Sequence, residues 1–332
     1  HIPTPRGGAD VRVGPPGVRV FERPLHLCGV FAGLVVVPPL PPIFLGAFSR
    51  VKARGRSPPL CGVGAVAYQA ENRLKELGDE VEYNIQTSNN AEEMTAQLDD
   101  LLTWGADAIV AFPQWTGMEV PIQRAVDSGV IVVNFDIVID VEGIYRVTGD
   151  NYDMGVQGAH YIVEKVGPEA IVVMLEVPTS GSVSELRKAG FLDTIKEIAP
   201  NMTIYTYATK FTVEDGLKDM ADILMRHPRI DAVYSMDDET SMGAIQAIRE
   251  AGRTDIKVIT GGGGMQDYFL MMPENEDIWI QSALYSPAMV KDAVDVALAV
   301  LKGEEVEAVK VIPTTIVDRT NYKDFIDPSS PY

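Results

Sequence analysis

Cysteine is almost absent. Cys28 and Cys61 are the only two among 332 residues, and they form neither a CxxC pair nor a metal-ligand set. Histidine is as scarce: His1, His26, His160 and His227 are scattered, and no two have the spacing of a zinc site. Positive charge is also short. Lys and Arg number 28 against 47 Asp and Glu, a net charge of −19. A field of that sign repels a phosphate backbone, so nucleic acid is excluded as a partner. Long apolar runs are missing with one exception. Residues 27–48 (LCGVFAGLVVVPPLPPIFLGAF) carry no charge and are long enough to span a bilayer. Pro38, Pro39, Pro41 and Pro42 oppose a spanning helix, since an interior proline costs about 3 kcal/mol. A degraded export signal or anchor is the alternative reading, and it would suit a periplasmic or otherwise extracytoplasmic, membrane-associated protein.

What is present is unevenly spread. Residues 1–64 hold eight basic residues against Asp10 and Glu22, and 11 of the 22 prolines. The remainder is strongly acidic. The front segment, above all residues 1–32, is atypical of the rest, with a pattern expected of a partly non-native sequence such as a shifted reading frame.

From Ala65 onward, short apolar runs alternate with amphipathic helical patterns. The expected strands are EVEYNI, ADAIVAF, VIVVNF, AIVVMLE, TIYTYA, DAVYSM, IKVITG and IWIQSAL. The expected helices cover 91–104, 117–128, 152–166, 183–198, 213–226, 240–251, 265–272 and 287–302. Apolar runs of this kind predict parallel strands buried on both faces, in doubly wound α/β domains. Asn90 followed by Glu93 forms a capping-box pattern ahead of an apolar stripe of Met94, Leu98, Leu101 and Leu102. Ser286-Pro287 reads as a helix start, closed by Gly303. TAQLDDLLTWGADAIVAFP is echoed by LKDMADILMRHPRIDAVYSMD, each a striped helix, a turn and a strand opening Asp-Ala. Two similar lobes are the simplest reading.

Ligands of open parallel sheets sit beyond the carboxyl ends of the strands. The residues expected there are Gln114 and Trp115, Asp136, Arg187, Lys210 and Phe211, Asp237 and Asp238, the glycines 261–264 including Gly262, Gln266 and Tyr285. Carboxylates accept paired hydrogen bonds from vicinal hydroxyls, a guanidinium donates several in a fixed fork, and aromatic faces cover C–H surfaces. This set suits a small neutral polyol and contains no evident nucleophile–base pair. No catalysis and no cofactor are expected.

From about Leu74 to Val317 the chain resembles the type I periplasmic sugar-binding proteins, nearest the ribose-binding group. VVNFDI resembles the strand that ends in a sugar-binding Asp, at Asp136. VTGDN resembles the first crossover between lobes. SVSELRKAGF places Arg187 at the sugar-binding arginine, and KFTVEDG places Phe211 at a ring-stacking position. YSMDDETSMGAIQAI places Asp237 at the ligand, with Asp238 capping or bracing the loop and Glu239 favouring the helix N-terminus. GLVVVPPLPPIFLGAF vaguely resembles the family's first strand and turn, with Ile43 and Phe44 at an aromatic pair. The resemblance implies two doubly wound parallel-sheet lobes joined by a three-strand hinge. The lobes would be 33–147 plus 286–313 and 148–285 plus 314–332, with hinges near Val147–Gly149, Ala283–Ser286 and Pro313–Thr315. It also implies a monomer that closes on a sugar, sugar alcohol or inositol and delivers it to a membrane ABC permease. Three departures point away from ribose: Ile137 stands where ribose binders carry Arg, TGGGGM lacks their Asp, and Tyr285 stands near their Gln.

Two other classes compete. The effector domain of a LacI-type repressor shares this fold, but it would need a basic helix-turn-helix in the proline-rich front, testable by a gel shift at low salt. GVGAVA (62–67) matches a dinucleotide fingerprint with Glu82 downstream, but RSPPLC ahead of it is no strand. Titration with NADH, followed by fluorescence, tests that reading.

Overall fold

The computed structural model describes residues 30–36 and 62–332 apart from 329 and 331. Two six-stranded sheets carry the chain. The first lobe contains β1 (Val30–Val36), α1 (Gly62–Leu77), β2 (Ile85–Ser88), α2 (Ala91–Trp104), β3 (Ala108–Ala111), α3 (Glu119–Asp127), β4 (Ile131–Phe135) and β5 (Tyr145–Gly149). The second contains α4 (Asn151–Val166), β6 (Ile171–Glu176), α5 (Ser182–Ile198), β7 (Thr203–Ala208), α6 (Val213–Arg226), β8 (Ala232–Ser235), α7 (Asp238–Glu250), β9 (Val258–Gly263), α8 (Gln266–Met271) and β10 (Trp279–Leu284). The chain then returns with α9 (Val290–Leu301) and β11 (Val309–Ile312) to the first sheet, and with β12 (Ile316–Asp318) to the second.

The strand orders are β11-β5-β4-β3-β1-β2 and β12-β10-β9-β8-β6-β7. In strand order, though not in every strand direction, one sheet repeats the other, as the Asp-Ala echo at β3 and β8 implies. Side-chain alternation sends each sheet's residues into two helical layers. In the first lobe Ala108, Val110 and Phe112 pack toward α1 and α9, while Ile109 and Ala111 pack toward α2 and α3. In the second, Val173 and Leu175 face α6 and α7, while Val172 and Met174 face α4 and α5.

Local chemistry sets the helix ends. The Asn90 side chain accepts from Glu93 N at 2.8 Å, and Gly105 closes α2 at φ 92°. The Glu93 carboxylate reaches Asn89 N rather than the N-cap's own amide. Thr212 caps α6 in the same way, accepting from Asp215 N at 3.0 Å.

Several expectations need correction. The strand expected at EVEYNI lies later, at Ile85–Ser88. The helix expected over 287–302 begins as a 3-10 turn, Pro287–Met289, before α9. TIYTYA is not buried on both faces: β7 is an edge strand and Tyr205 is exposed. Val147–Gly149 belongs to β5, so the crossover falls at Asp150. The strand expected from about Gly33 runs instead over Val30–Val36, antiparallel to both β2 and β3. Its counterpart β6 is parallel to both of its neighbours. A reversed β1 ends away from the edge at which β3 and β4 end. Phe44, assigned to the turn after it, lies outside the described residues. Among the described residues no helix is long and apolar enough to cross a membrane.

Candidate ligand-binding cleft

Asp136 follows β4 directly. Its φ of 75° is the only positive value among described non-glycine residues, and aspartate tolerates that region better than most. Arg146 holds this turn, donating from Nε and Nη2 to the Asp136 carbonyl at 3.0 and 2.9 Å. The turn aims the carboxylate at the crossing strands, where the Tyr285 hydroxyl donates to it. That hydroxyl also lies 3.2 Å from Thr148 Oγ1 and accepts from Gly149 N at 3.2 Å. The phenol is thus seated on the first crossing while its backbone belongs to the second.

Arg187, in α5, is 4% exposed. Its Nε donates to Asn151 Oδ1 at 2.8 Å and its Nη1 to the Met236 carbonyl at 2.6 Å. Its guanidinium carbon stands 4.9 Å from the centroid of the Tyr285 ring, a cation–π contact. Arg187 also acts electrostatically on Asp136 and Asp237. Asp136 from one lobe, Arg187 and Asp237 from the other, and Tyr285 from the hinge therefore converge.

The three acids after β8 have separate tasks. Asp237 is the N-cap of α7, accepting from Thr240 N at 3.0 Å through Oδ2. Its Oδ1 is buried and accepts no hydrogen bond among the described residues. Asp238 does not cap; it braces the neighbouring loop, accepting from Gly264 N at 2.8 Å and Met265 N at 3.0 Å. Glu239 lies in the first turn of α7, where the helix dipole favours an acid. Burial pushes the Asp237 carboxyl up to about 7 and Asp238 up to about 6, against the hydrogen bonds that each accepts. Burial also raises Asp136, opposed by the Tyr285 hydroxyl and the Arg187 charge.

The remaining candidates make other contacts. Phe211 is half-buried against the core layer that contains Met236, Phe191 and Tyr234. Trp115 packs on the first lobe's layer beside Ile137 and Ile139, and Gln114 donates to the Pro113 carbonyl at 3.2 Å. Gly262 serves packing: a Cβ there would stand 2.6 Å from Met154 Cε and 2.9 Å from the Met236 carbonyl. Asn151 and Thr148 also contact this group, Asn151 through Arg187 and Thr148 through the Tyr285 hydroxyl, although the pattern VTGDN points only to a crossover. The lobes touch elsewhere too, with Val138 N donating to Ser182 Oγ at 3.0 Å.

Gly149 is required by this arrangement. A Cβ there would overlap the Tyr285 ring. Gly149→Ala is expected to drive the phenol off Asp136 and destabilise the protein by about 1–3 kcal/mol, the usual range for overpacking. A thermal midpoint equal to the wild type would contradict that seating.

GVGAVA does not form a dinucleotide turn. Its glycines lie inside α1, which begins at Gly62. No group of three or more metal-ligating side chains occurs among the described residues.

Similar proteins share this architecture. The ribose import binding protein RbsB of Bacillus subtilis is 28% identical over 226 residues, 67% of this chain and 72% of the relative. A xylitol-binding protein of Mycolicibacterium smegmatis is 24% identical over 241 residues, 70% of this chain and 68% of the relative. A solved ABC transporter solute-binding protein from Mycobacterium smegmatis, with glycerol bound, aligns at 25% identity with a TM-score of 0.73 over 81% of this chain and 94% of its own. Residues 64–305 match the periplasmic binding protein domain, so the chain, with its two same-ordered sheets, belongs to that family.

Proposed function

We propose that this protein captures a small neutral sugar, sugar alcohol or inositol between its lobes and delivers it, as a monomer, to an ABC permease in the membrane. It works outside the cytoplasm and catalyses nothing. The observation that carries this reading is the convergence of Asp136, Arg187, Asp237 and Tyr285 from both lobes and the hinge. Two acids and one guanidinium offer acceptors and donors in the numbers that a polyol's hydroxyls can use. Relatives that bind ribose and xylitol support the chemistry. Closure would rotate the lobes about the crossings at Asp150, Tyr285 and Pro313–Thr315, presenting a joined surface to the permease.

The family's ligand class does not dictate the ligand here. Ile137 is apolar and 6% exposed, and glycine follows Thr260 within β9, so two polar anchors expected of a ribose site are gone. Calorimetric titration with D-ribose is expected to show no tight binding. A thermal-shift panel of monosaccharides, sugar alcohols and inositols is expected to contain a compound that stabilises the protein by about 2.7 kcal/mol at 100 times its Kd. A panel with no stabilising compound refutes the reading.

A further inference from the structure

Tyr285 is held by both lobes at once. Its backbone N donates to the Gly263 carbonyl at 2.7 Å, which fixes the residue to the second lobe. Its hydroxyl donates to Asp136 Oδ1, which belongs to the first. One side chain therefore spans the two halves of the molecule.

The hydroxyl has nothing left to offer a guest. A hydroxyl carries one proton and accepts at two lone pairs. At neutral pH a phenol keeps its proton, and here Asp136 receives it. Gly149 N, at 3.2 Å, and Asn151 Nδ2, at 3.4 Å, donate to the oxygen, and Thr148 Oγ1 stands 3.2 Å away. The protein itself thus saturates the phenol.

The ring is engaged as well. The Arg187 guanidinium carbon stands 4.9 Å from its centroid. A Cβ on Gly149 would stand 2.3 Å from its Cε2 atom, so the ring fills the space beside the first crossing. An edge hydroxyl on a carboxylate and a flat face against a guanidinium are what a small polyol ring would also present. Tyr285 thus engages the two charged groups, Asp136 and Arg187, that a guest would use. With the phenol in this position the lobes touch beside it, Val138 N donating to Ser182 Oγ at 3.0 Å.

We propose that Tyr285 is an internal stand-in for the guest: its hydroxyl holds the Asp136 carboxylate and its ring lies against Arg187, so that it ties the lobes together in the ligand-free protein and yields Asp136 only to a polyol. One phenol hydroxyl donates one hydrogen bond to the carboxylate, whereas a vicinal diol donates two, and the diol wins the exchange. The proposal rests on the reading of the cleft as a polyol site. It turns Tyr285 from a ligand contact into a latch that the ligand displaces.

Two variants test it. Tyr285→Phe keeps the ring and removes the hydroxyl. Gly149→Ala displaces the ring and leaves Asp136 and Arg187 in place. Small-angle X-ray scattering of the ligand-free proteins reads the separation of the lobes. Both variants are expected to have a larger radius of gyration than the wild type, because the lobes are no longer tied. An unchanged or smaller radius in either variant overturns the latch. Calorimetry with xylitol, D-arabinose and myo-inositol reads the exchange. For a probe that binds the wild type, Tyr285→Phe is expected to bind roughly fivefold to tenfold tighter, the worth of the one hydrogen bond that the guest no longer has to displace. Unchanged or weaker binding overturns the proposal, weaker binding making the hydroxyl a ligand contact. If the wild type binds none of the probes, the polyol reading fails by itself, and the scattering of the ligand-free proteins then decides the latch alone.

Discussion

Arg187→Ala is expected to abolish ligand binding and to destabilise the protein by about 3–5 kcal/mol, the cost of removing one partner from a buried charge group. The guanidinium holds Asn151 at the first crossing and the Met236 carbonyl at the start of the acidic loop. It is also the cation that opposes the burial of Asp136, Asp237 and Asp238. Truncation leaves three buried acids with no shared cation and a carbonyl without its donor. Arg187→Lys is expected to rescue only partly. One ammonium cannot reproduce a planar fork that meets two acceptors while lying over the Tyr285 ring. Urea titration and ligand calorimetry measure the two effects separately. Wild-type stability and affinity in the alanine variant would show that the three acids do not depend on this cation.

The second large effect is a dependence of stability on pH that runs opposite to the usual acid denaturation. A carboxyl whose pKa rises on folding binds its proton more tightly in the folded state. Its contribution is complete below the unfolded value, near 3.8, and is lost as pH rises through the folded value. With Asp238 at about 6 and Asp237 at about 7, stability is expected to decline between about pH 4 and 7 and then level off. Asp255 and Asp277 act in the other direction. The Arg253 and Arg249 guanidiniums hold them down to about 2, so their contributions are present above pH 4 and are lost as pH falls toward 2. The two windows meet near pH 4 and do not cancel between 4 and 7. Asp237→Asn should flatten the decline. Its carbonyl can still cap α7, and the neutral amide carries no buried charge. At about 1.4 kcal/mol per pKa unit, a gain of about 1–3 kcal/mol at pH 8 is expected, read as a higher thermal midpoint. A wild-type midpoint that stays level or rises from pH 4 to 7 would sink the claim.

Periodicity located most of the second lobe because its elements combine a full stripe with a strong cap. The helix over 213–226 and the strand TIYTYA have the bounds expected of them. Two of the three strands absent from the apolar pattern, β11 and β12, lack an apolar run for a physical reason, while β5 is hidden in VTGDN, which resembles a crossover. Val309 and Val311 of β11 are about half exposed at a sheet edge, and β12 has three residues. EVEYNI alternates like a strand, but its backbone partner β1 pairs only with Ile85–Ser88. Within the site, Asp136, Asp237 and Tyr285 were legible because they stand within two residues of a strand end, while Arg187, inside α5, was legible from the resemblance of SVSELRKAGF. That Asp237 and not Asp238 would cap could not be read, since either acid stands within a residue of the helix start.

The matching strand orders of the two sheets have one more consequence. β4 is followed by the acid Asp136, while its twin β9 ends in glycine; β8 leads to Asp237, while its twin β3 leads to Pro113. The duplicated scaffold has diverged at its rims, so each half offers a carboxylate where the other has none. A guest held between Asp136 and Asp237 would meet them along a diagonal and show a different edge to each half, so two-fold symmetry in the guest would bring it no advantage.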